Sequence, residues 1–206
     1  MKNLFLGGLI LFAFAILFTN CSKDDNDGTN PTTVKGDVNF EITDAPIDDA
    51  NIKGCFVTVT AVKVDGEVIS SFSGRQTIDL MAYQNGNVKS LGLAELETGT
   101  YSDDSLDLVY DTDANGNSPG CFIQTTDNAK HSLQATSNST SDLRLNSGNF
   151  TVEENGTTNI VMDFDVRKAV KRQENSADDK YDFVTEAELK SSVRVVKKDR
   201  TGKVKG

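Results

Sequence analysis

Asp111-Thr112-Asp113-Ala114-Asn115-Gly116-Asn117 follows the D-x-[DN]-x-[DN]-G pattern of a calcium loop. Alternate positions carry side-chain oxygens, and Gly116 in the sixth place permits the sharp turn on which they converge. A hard cation in such a loop takes six or more oxygens at about 2.3–2.6 Å. Asp111, Asp113 and Asn115 are the candidate ligands, with Asp103, Asp104 or Asp107 available to complete the shell. Phe122 stands in the twelfth place, where such loops carry a bidentate Glu. The same residues also make a polar hairpin loop whose Asp and Asn side chains bond their own backbone. Calcium is one reading of two.

Cys55 and Cys121 each follow a Gly at the start of an apolar run. In an oxidising compartment an even pair suggests a disulfide, worth roughly 4 kcal/mol on the chain-entropy model for so long a loop. The alternative is two separately buried thiols, which behave as small apolar residues. Asp163 and Asp165 share one strand face, with Arg167 next in the series. Paired carboxylates can do acid–base work or hold a metal, but a cross-strand salt bridge on an exposed face is the expectation here. His131 has no visible nucleophile or acid partner, and no Gly-x-Ser-x-Gly elbow supports a Ser-His-Asp triad. No catalytic residue is assigned, and the protein reads as a non-enzyme.

These groups sit in a chain of 206 residues with 21 basic and 31 acidic side chains, a formal net charge of -10. That length fits one domain with a tail. The acidic balance argues against a nucleic-acid partner, because phosphate contacts need a basic surface. One His and no Cys-x-x-Cys pair argue against a His/Cys zinc site. The charge is uneven: residues 21–166 hold 24 acidic and 8 basic side chains, whereas residues 167–206 hold 7 and 12. A basic end can suit a polyanion or a headgroup, but the outer face of late strands packed on an acidic body is the expectation.

Lys2 precedes an unbroken run at residues 4–18 that is apolar or Gly throughout. The run is shorter than the roughly 20 residues of a membrane-spanning helix and reads as a signal peptide. It leads through Phe18-Thr19-Asn20 to Cys21, which sits where a lipobox would place it. Phe18 and Asn20 depart from the strictest lipobox, and the looser form resembles lipoproteins of Bacteroidetes-type bacteria. Cys21 is then the lipidation site, and the membrane is a partner through that anchor. The acidic run Asp24-Asp25-Asn26-Asp27 resembles the surface-export signal of such lipoproteins, which implies display on the outer membrane. The organisation expected is a signal peptide at 1–20, a lipidated flexible tether at 21–35 and a folded domain at 36–206.

The body predicts strands. Val38-Asn39-Phe40-Glu41-Ile42 alternates apolar and polar, and Asp44-Ala45-Pro46 breaks it. Residues 56–64 make the strongest strand, with Phe56, Val62 and Val64 on one face and Val57, Val59 and Ala61 on the other. Asp65-Gly66 and Asn155-Gly156 are hairpin signals. In residues 158–166, Ile160, Met162, Phe164 and Val166 face one way and Val161, Asp163 and Asp165 the other. The single helix candidate is short, near residues 185–191, with Thr185 as N-cap and Glu188 three residues on. Short runs bounded by turn residues make the class all-β, a sandwich with at most one short helix.

Ile42-Thr43-Asp44-Ala45-Pro46, then Val57-Thr58-Val59-Thr60 leading to Val64-Asp65-Gly66, then Ile78-Asp79-Leu80 before Asn85-Gly86, resemble in order one bacterial and archaeal family. Gly99-Thr100-Tyr101, residues 159–165 with Arg167-Lys168, and residues 189–196 continue the match. The family is the domain of unknown function numbered 4382, and the resemblance covers about residues 37–202. Ser102-Asp103-Asp104-Ser105 is more acidic than the family's usual apolar strand, which leaves the pairing of that strand open, and the loop at 111–120 is long. The resemblance implies a Greek-key sandwich, transthyretin-like or immunoglobulin-like, and no activity. Two functions from different classes follow: a cell-envelope lipoprotein whose sandwich binds or scaffolds a protein or glycan partner, or a calcium-stabilised adhesion or carbohydrate-binding module. The absence of Trp and the scatter of Phe and Tyr argue against a sugar-stacking platform.

Overall fold

A computed structural model of the chain describes residues 33–45, 47–145, 148–173 and 180–198, and Thr33 opens its folded unit. The expected signal peptide and lipidated Cys21 lie outside the described residues. Fifteen strands form among those described. The period-two pattern around Val38 makes β1 (Lys35–Ala45), in which Val38, Phe40 and Ile42 are fully buried. The long apolar run makes β2 (Ile52–Val64), and Asp65-Gly66 turns it into β3 (Glu67–Val68). Then come β4 (Gln76–Asp79), β5 (Lys89–Glu97), β6 (Gly99–Tyr101), β7 (Asp104–Val109), β8 (Phe122–Thr125) and β9 (Lys130–Ser132). The last group is β10 (Thr140–Arg144), β11 (Phe150–Val152), β12 (Thr157–Asp165), β13 (Val170–Gln173), β14 (Lys180–Phe183) and β15 (Val193–Lys197).

Two sheets carry the fold. One has the order β15-β12-β1-β5; the other runs β10-β7-β2-β8-β9, with β3 and β4 also on β2. Their inner faces share one core that includes Phe40, Ile42, Met162 and Phe164 from the first sheet and Val57, Val59, Leu106, Leu108 and Ile123 from the second. The class is therefore an all-β sandwich. β1 pairs parallel with β12, Phe40 beside Ile160 and Ile42 beside Met162, which joins the start of the domain to its late strands. Small ribbons of β6 with β11 and β13 with β14 flank the sheets, and Tyr101 stacks on Phe150 in the first of them. No helix among the described residues is long and apolar enough to cross a membrane.

The helix longer than a single turn is α2 (Glu186–Ser192), which follows the one-turn α1 (Val166–Ala169). The capping box forms as expected. Glu188 N–H donates to Thr185 Oγ1 at 3.4 Å, and Thr185 N–H donates to Glu188 Oε2 at 3.0 Å.

Two expectations change. The register of β2 against β7 moves from Val59↔Leu108 to Ala61↔Asp107, so Thr60 is the extra residue of a β-bulge. The bulge reverses the facing of everything beyond it. Val62 and Val64 therefore join Val57 and Val59 in the core, not Phe56 on the other face. The acidic stretch does pair, with Asp104 opposite Val64 and Ser105 opposite Lys63. Lys63 Nζ reaches Asp107 at 2.8 Å and Asp142 at 3.4 Å, which neutralises the acidic strand from its neighbour.

Candidate functional site

A groove crosses the outer face of the four-stranded sheet where β1 and β12 end. It consists of two adjoining cavities of about 460 and 560 Å³ that share Ala45, Asp163 and Arg194. Because β12 alternates strictly, burying Met162 and Phe164 turns Asp163 and Asp165 outward into this groove. Arg194 of β15 lies directly opposite Asp163 in the register and pairs with it. Asp165 Oδ1 accepts from Arg167 Nε at 3.3 Å, and its Oδ2 lies 3.3 Å from Lys168 Nζ. Burial pushes the Asp165 carboxyl up, but hydrogen bonds from Lys168 and Arg167 outweigh it and hold the group below its usual range. Both carboxylates are thus committed to basic partners: Asp163 makes the cross-strand salt bridge expected of an exposed face, and Asp165 pairs locally with the α1 residues that follow it.

Beneath the groove lies a residue that sequence reasoning passed over. Asp44 continues the inward series Val38, Phe40, Ile42 and is 4% exposed. Its Oδ1 accepts from Val166 N–H at 3.2 Å and its Oδ2 from Gln84 Nε2 at 3.1 Å. Burial raises its pKa to about 6, against those two hydrogen bonds and with help from the negative Asp165 and Asp163. The carboxyl ties the end of β1 to the start of α1 and to the loop before β5.

The calcium-type loop is organised by its own backbone. Asp113 Oδ1 accepts from the N–H groups of Asn115 and Asn117, both at 2.8 Å, and Asp113 N–H donates to Asn117 O at 2.7 Å. Those hydrogen bonds, led by Asn117, hold the Asp113 carboxyl below its usual range. Asp111 accepts from Thr112 Oγ1 at 3.3 Å. Among the described residues no group of three or more His, Cys, Asp or Glu is placed to hold a metal ion. Asp113→Ala is expected to lower the melting temperature by the same few degrees in calcium and in excess chelator. A calcium-dependent difference between the two proteins would restore the cation reading.

Cys55 and Cys121 are both fully buried free thiols. The disulfide reading fails here on register. Cys55 pairs with Ile123 across β2 and β8, so Cys121 lies one step along the diagonal. Diagonal neighbours are about 7–8 Å apart, beyond the roughly 4.4–6.8 Å a disulfide spans. Cys121 Sγ instead accepts from Thr58 N–H at 3.4 Å and donates to Val109 O at 3.3 Å. Burial pushes the Cys121 thiol up to about 12, and that of Cys55 well above its usual value. A thiol reagent should therefore leave both untouched in the native protein and titrate both after unfolding. Their absence from the titration of the unfolded, unreduced chain would show that they are bonded. His131 is half-buried on β9, edge-on to Tyr181 with ring centroids 5.4 Å apart and 3.3 Å from Thr125 Oγ1.

The model of a family described as a domain of unknown function (DUF4382) matches residues 35–184. The chain belongs to this family. The DUF4382 match takes in β1, β12 and α1, and so the Asp44, Asp163 and Asp165 side of the groove. The Lys190 and Arg194 side, on α2 and β15, lies beyond the matched residues. Among solved structures, the DUF4382 domain is similar to a leucine-rich repeat protein from Bacteroides thetaiotaomicron at 17% identity, over 66% of this chain and with a TM-score of 0.23. The chain spans 14% of that protein's solved length, and at that score the likeness assigns neither fold nor function. No curated protein matches the chain.

Proposed function

We propose that the protein is a non-enzymatic lipoprotein of the bacterial outer membrane, of Bacteroidetes type, whose β-sandwich is displayed at the cell surface to bind or scaffold a partner. The observation that carries this reading is the apolar run at residues 4–18 ending at Cys21, with Asp24-Asp25-Asn26-Asp27 directly behind it. Lipid chains contribute about 0.8 kcal/mol per buried CH2, so the several chains of a mature lipoprotein hold it stably. The groove supports a binding role over a catalytic one, because its carboxylates are held in ion pairs.

The test is Cys21→Ser in cells grown with labelled palmitate. The wild-type chain is expected to carry label, to pellet with membranes and to be digested by protease added to intact cells. The variant is expected to lose the label and leave the membrane fraction. Identical fractionation of the two would end the anchor reading, and protease resistance on intact cells would end surface display.

A further inference from the structure

Against the chain's net charge of -10, the groove gathers Arg167, Lys168, Lys190, Arg194, Lys197 and Lys198 around three carboxylates, Asp44, Asp163 and Asp165. All six come from the basic stretch 167–206, and the fold brings them to one groove from α1, α2 and β15 with the residue after it. Asp163 is answered by Arg194, and Asp165 by Arg167 and Lys168. Among the described residues, no carboxylate lies within ion-pair distance of Lys190 or Lys198. The groove therefore carries surplus positive charge in a protein that is otherwise strongly acidic. The Ser191 and Thr43 hydroxyls in its lining donate to backbone carbonyls, which leaves the bases as its donors, and no aromatic ring lines either cavity. Two adjoining cavities of this size fall in the range of ordinary ligand pockets. Such a lining recognises charge and hydrogen-bonding groups and offers no stacking platform.

We propose that this groove binds an anionic polysaccharide, one with carboxylate or sulfate groups repeated along its chain. The proposal rests on the envelope reading above, since a surface-displayed domain meets such polymers. Within the folded domain the groove lies at the Ala45 end of β1, roughly 33 Å along that strand from its Lys35 end. A groove open along the sheet face also suits a chain that continues past each charged unit.

The full-length protein in detergent should bind fluorescent polygalacturonate or dextran sulfate and ignore neutral dextran, with affinity falling as salt rises. The two anionic polymers separate carboxylate from sulfate recognition. Lys190→Gln with Lys198→Gln should weaken binding about tenfold with an unchanged melting curve, since Lys198 is exposed, Lys190 is half-buried and Gln keeps most of its stem. Asp163→Asn should tighten binding, because it frees Arg194 for the ligand. Equal binding of neutral dextran, an unaltered affinity in the double variant, or stronger binding to vesicles of anionic phospholipid would each overturn the proposal. Acylated Cys21 without polymer binding removes the groove proposal alone; polymer binding with unmodified Cys21 removes the anchor alone.

Discussion

Asp44→Asn should make the protein more stable at neutral pH and leave it unchanged near pH 4. In the folded protein the Asp44 carboxyl titrates at about 6, raised from 3.8 chiefly by burial. Between those values the unfolded chain has released a proton that the native chain still holds. Native stability is therefore whole below about pH 4, falls as the pH rises towards 6, and stays lower above it. A shift of that size corresponds to about 3 kcal/mol at 1.36 kcal/mol per unit. Asparagine removes the charge but keeps an oxygen for Val166 N–H, and the Gln84 amide can rotate to accept from the new amide. Asp44→Ala is the contrasting variant. It leaves Val166 N–H buried without its acceptor and should be destabilising near pH 4, by about 1–3 kcal/mol for the orphaned group; at neutral pH loss of the buried charge offsets that cost, so Asp44→Ala stays below Asp44→Asn throughout. Urea melts of the three proteins between pH 4 and 8 test this. A constant difference between wild type and Asp44→Asn across that range would mean that Asp44 is ionised throughout and held by its two donors.

Asp44 also marks where sequence reading stopped short. Alternation placed Val38, Phe40 and Ile42 inward, and one more step reaches Asp44. The Asp-Ala-Pro that follows reads as the end of the strand, so the inward series was cut one residue early. Elsewhere local chemistry sufficed. The Thr185–Glu188 capping box and the inward set Ile160, Met162, Phe164 and Val166 depend only on neighbours in sequence, and both form as expected. The Asp163 ion pair needed just one long-range fact, the register that brings Arg194 opposite. What could not be read was whatever depends on register. A bulge at Thr60 exchanged the faces of β2 because a run apolar on both sides of the pleat carries no phase of its own. The diagonal offset of Cys55 and Cys121 follows from the same strand's pairing with β8, and so does their failure to bridge. The groove stands between the two: its bases all fall in the basic stretch 167–206 that is plain in the sequence, but Arg194 meets Asp163 only after β15 has paired with β12.

Gly120→Ala should be the most damaging single methyl group in the chain's long loop. The loop leaves β7 after Val109 and must return beside β2 to begin β8. At the point of return, Gly120 N–H donates to Tyr110 O at 2.8 Å and Gly120 O accepts from Thr58 Oγ1 at 2.7 Å. A Cβ here would stand 2.4 Å from Val109 O and 2.6 Å from Thr112 O. Both are backbone atoms, so no rotamer relieves the clash and the loop must move off the strand. Overpacking of this kind costs about 1–3 kcal/mol or more, and moving the loop also strains the two hydrogen bonds that locate Gly120. A loss of about 3 kcal/mol lowers the melting temperature of a domain this size by roughly 10 °C. Gly99→Ala, whose Cβ would meet nothing within 4 Å, is the matched control and should melt like the wild type. The displacement has a chemical readout as well. Cys121 follows Gly120 directly, and its burial is what keeps the thiol inert, so the variant should expose it to a thiol reagent below the melting transition. A Gly120→Ala protein that melts with the wild type and keeps Cys121 protected would show that the loop has room this packing denies it.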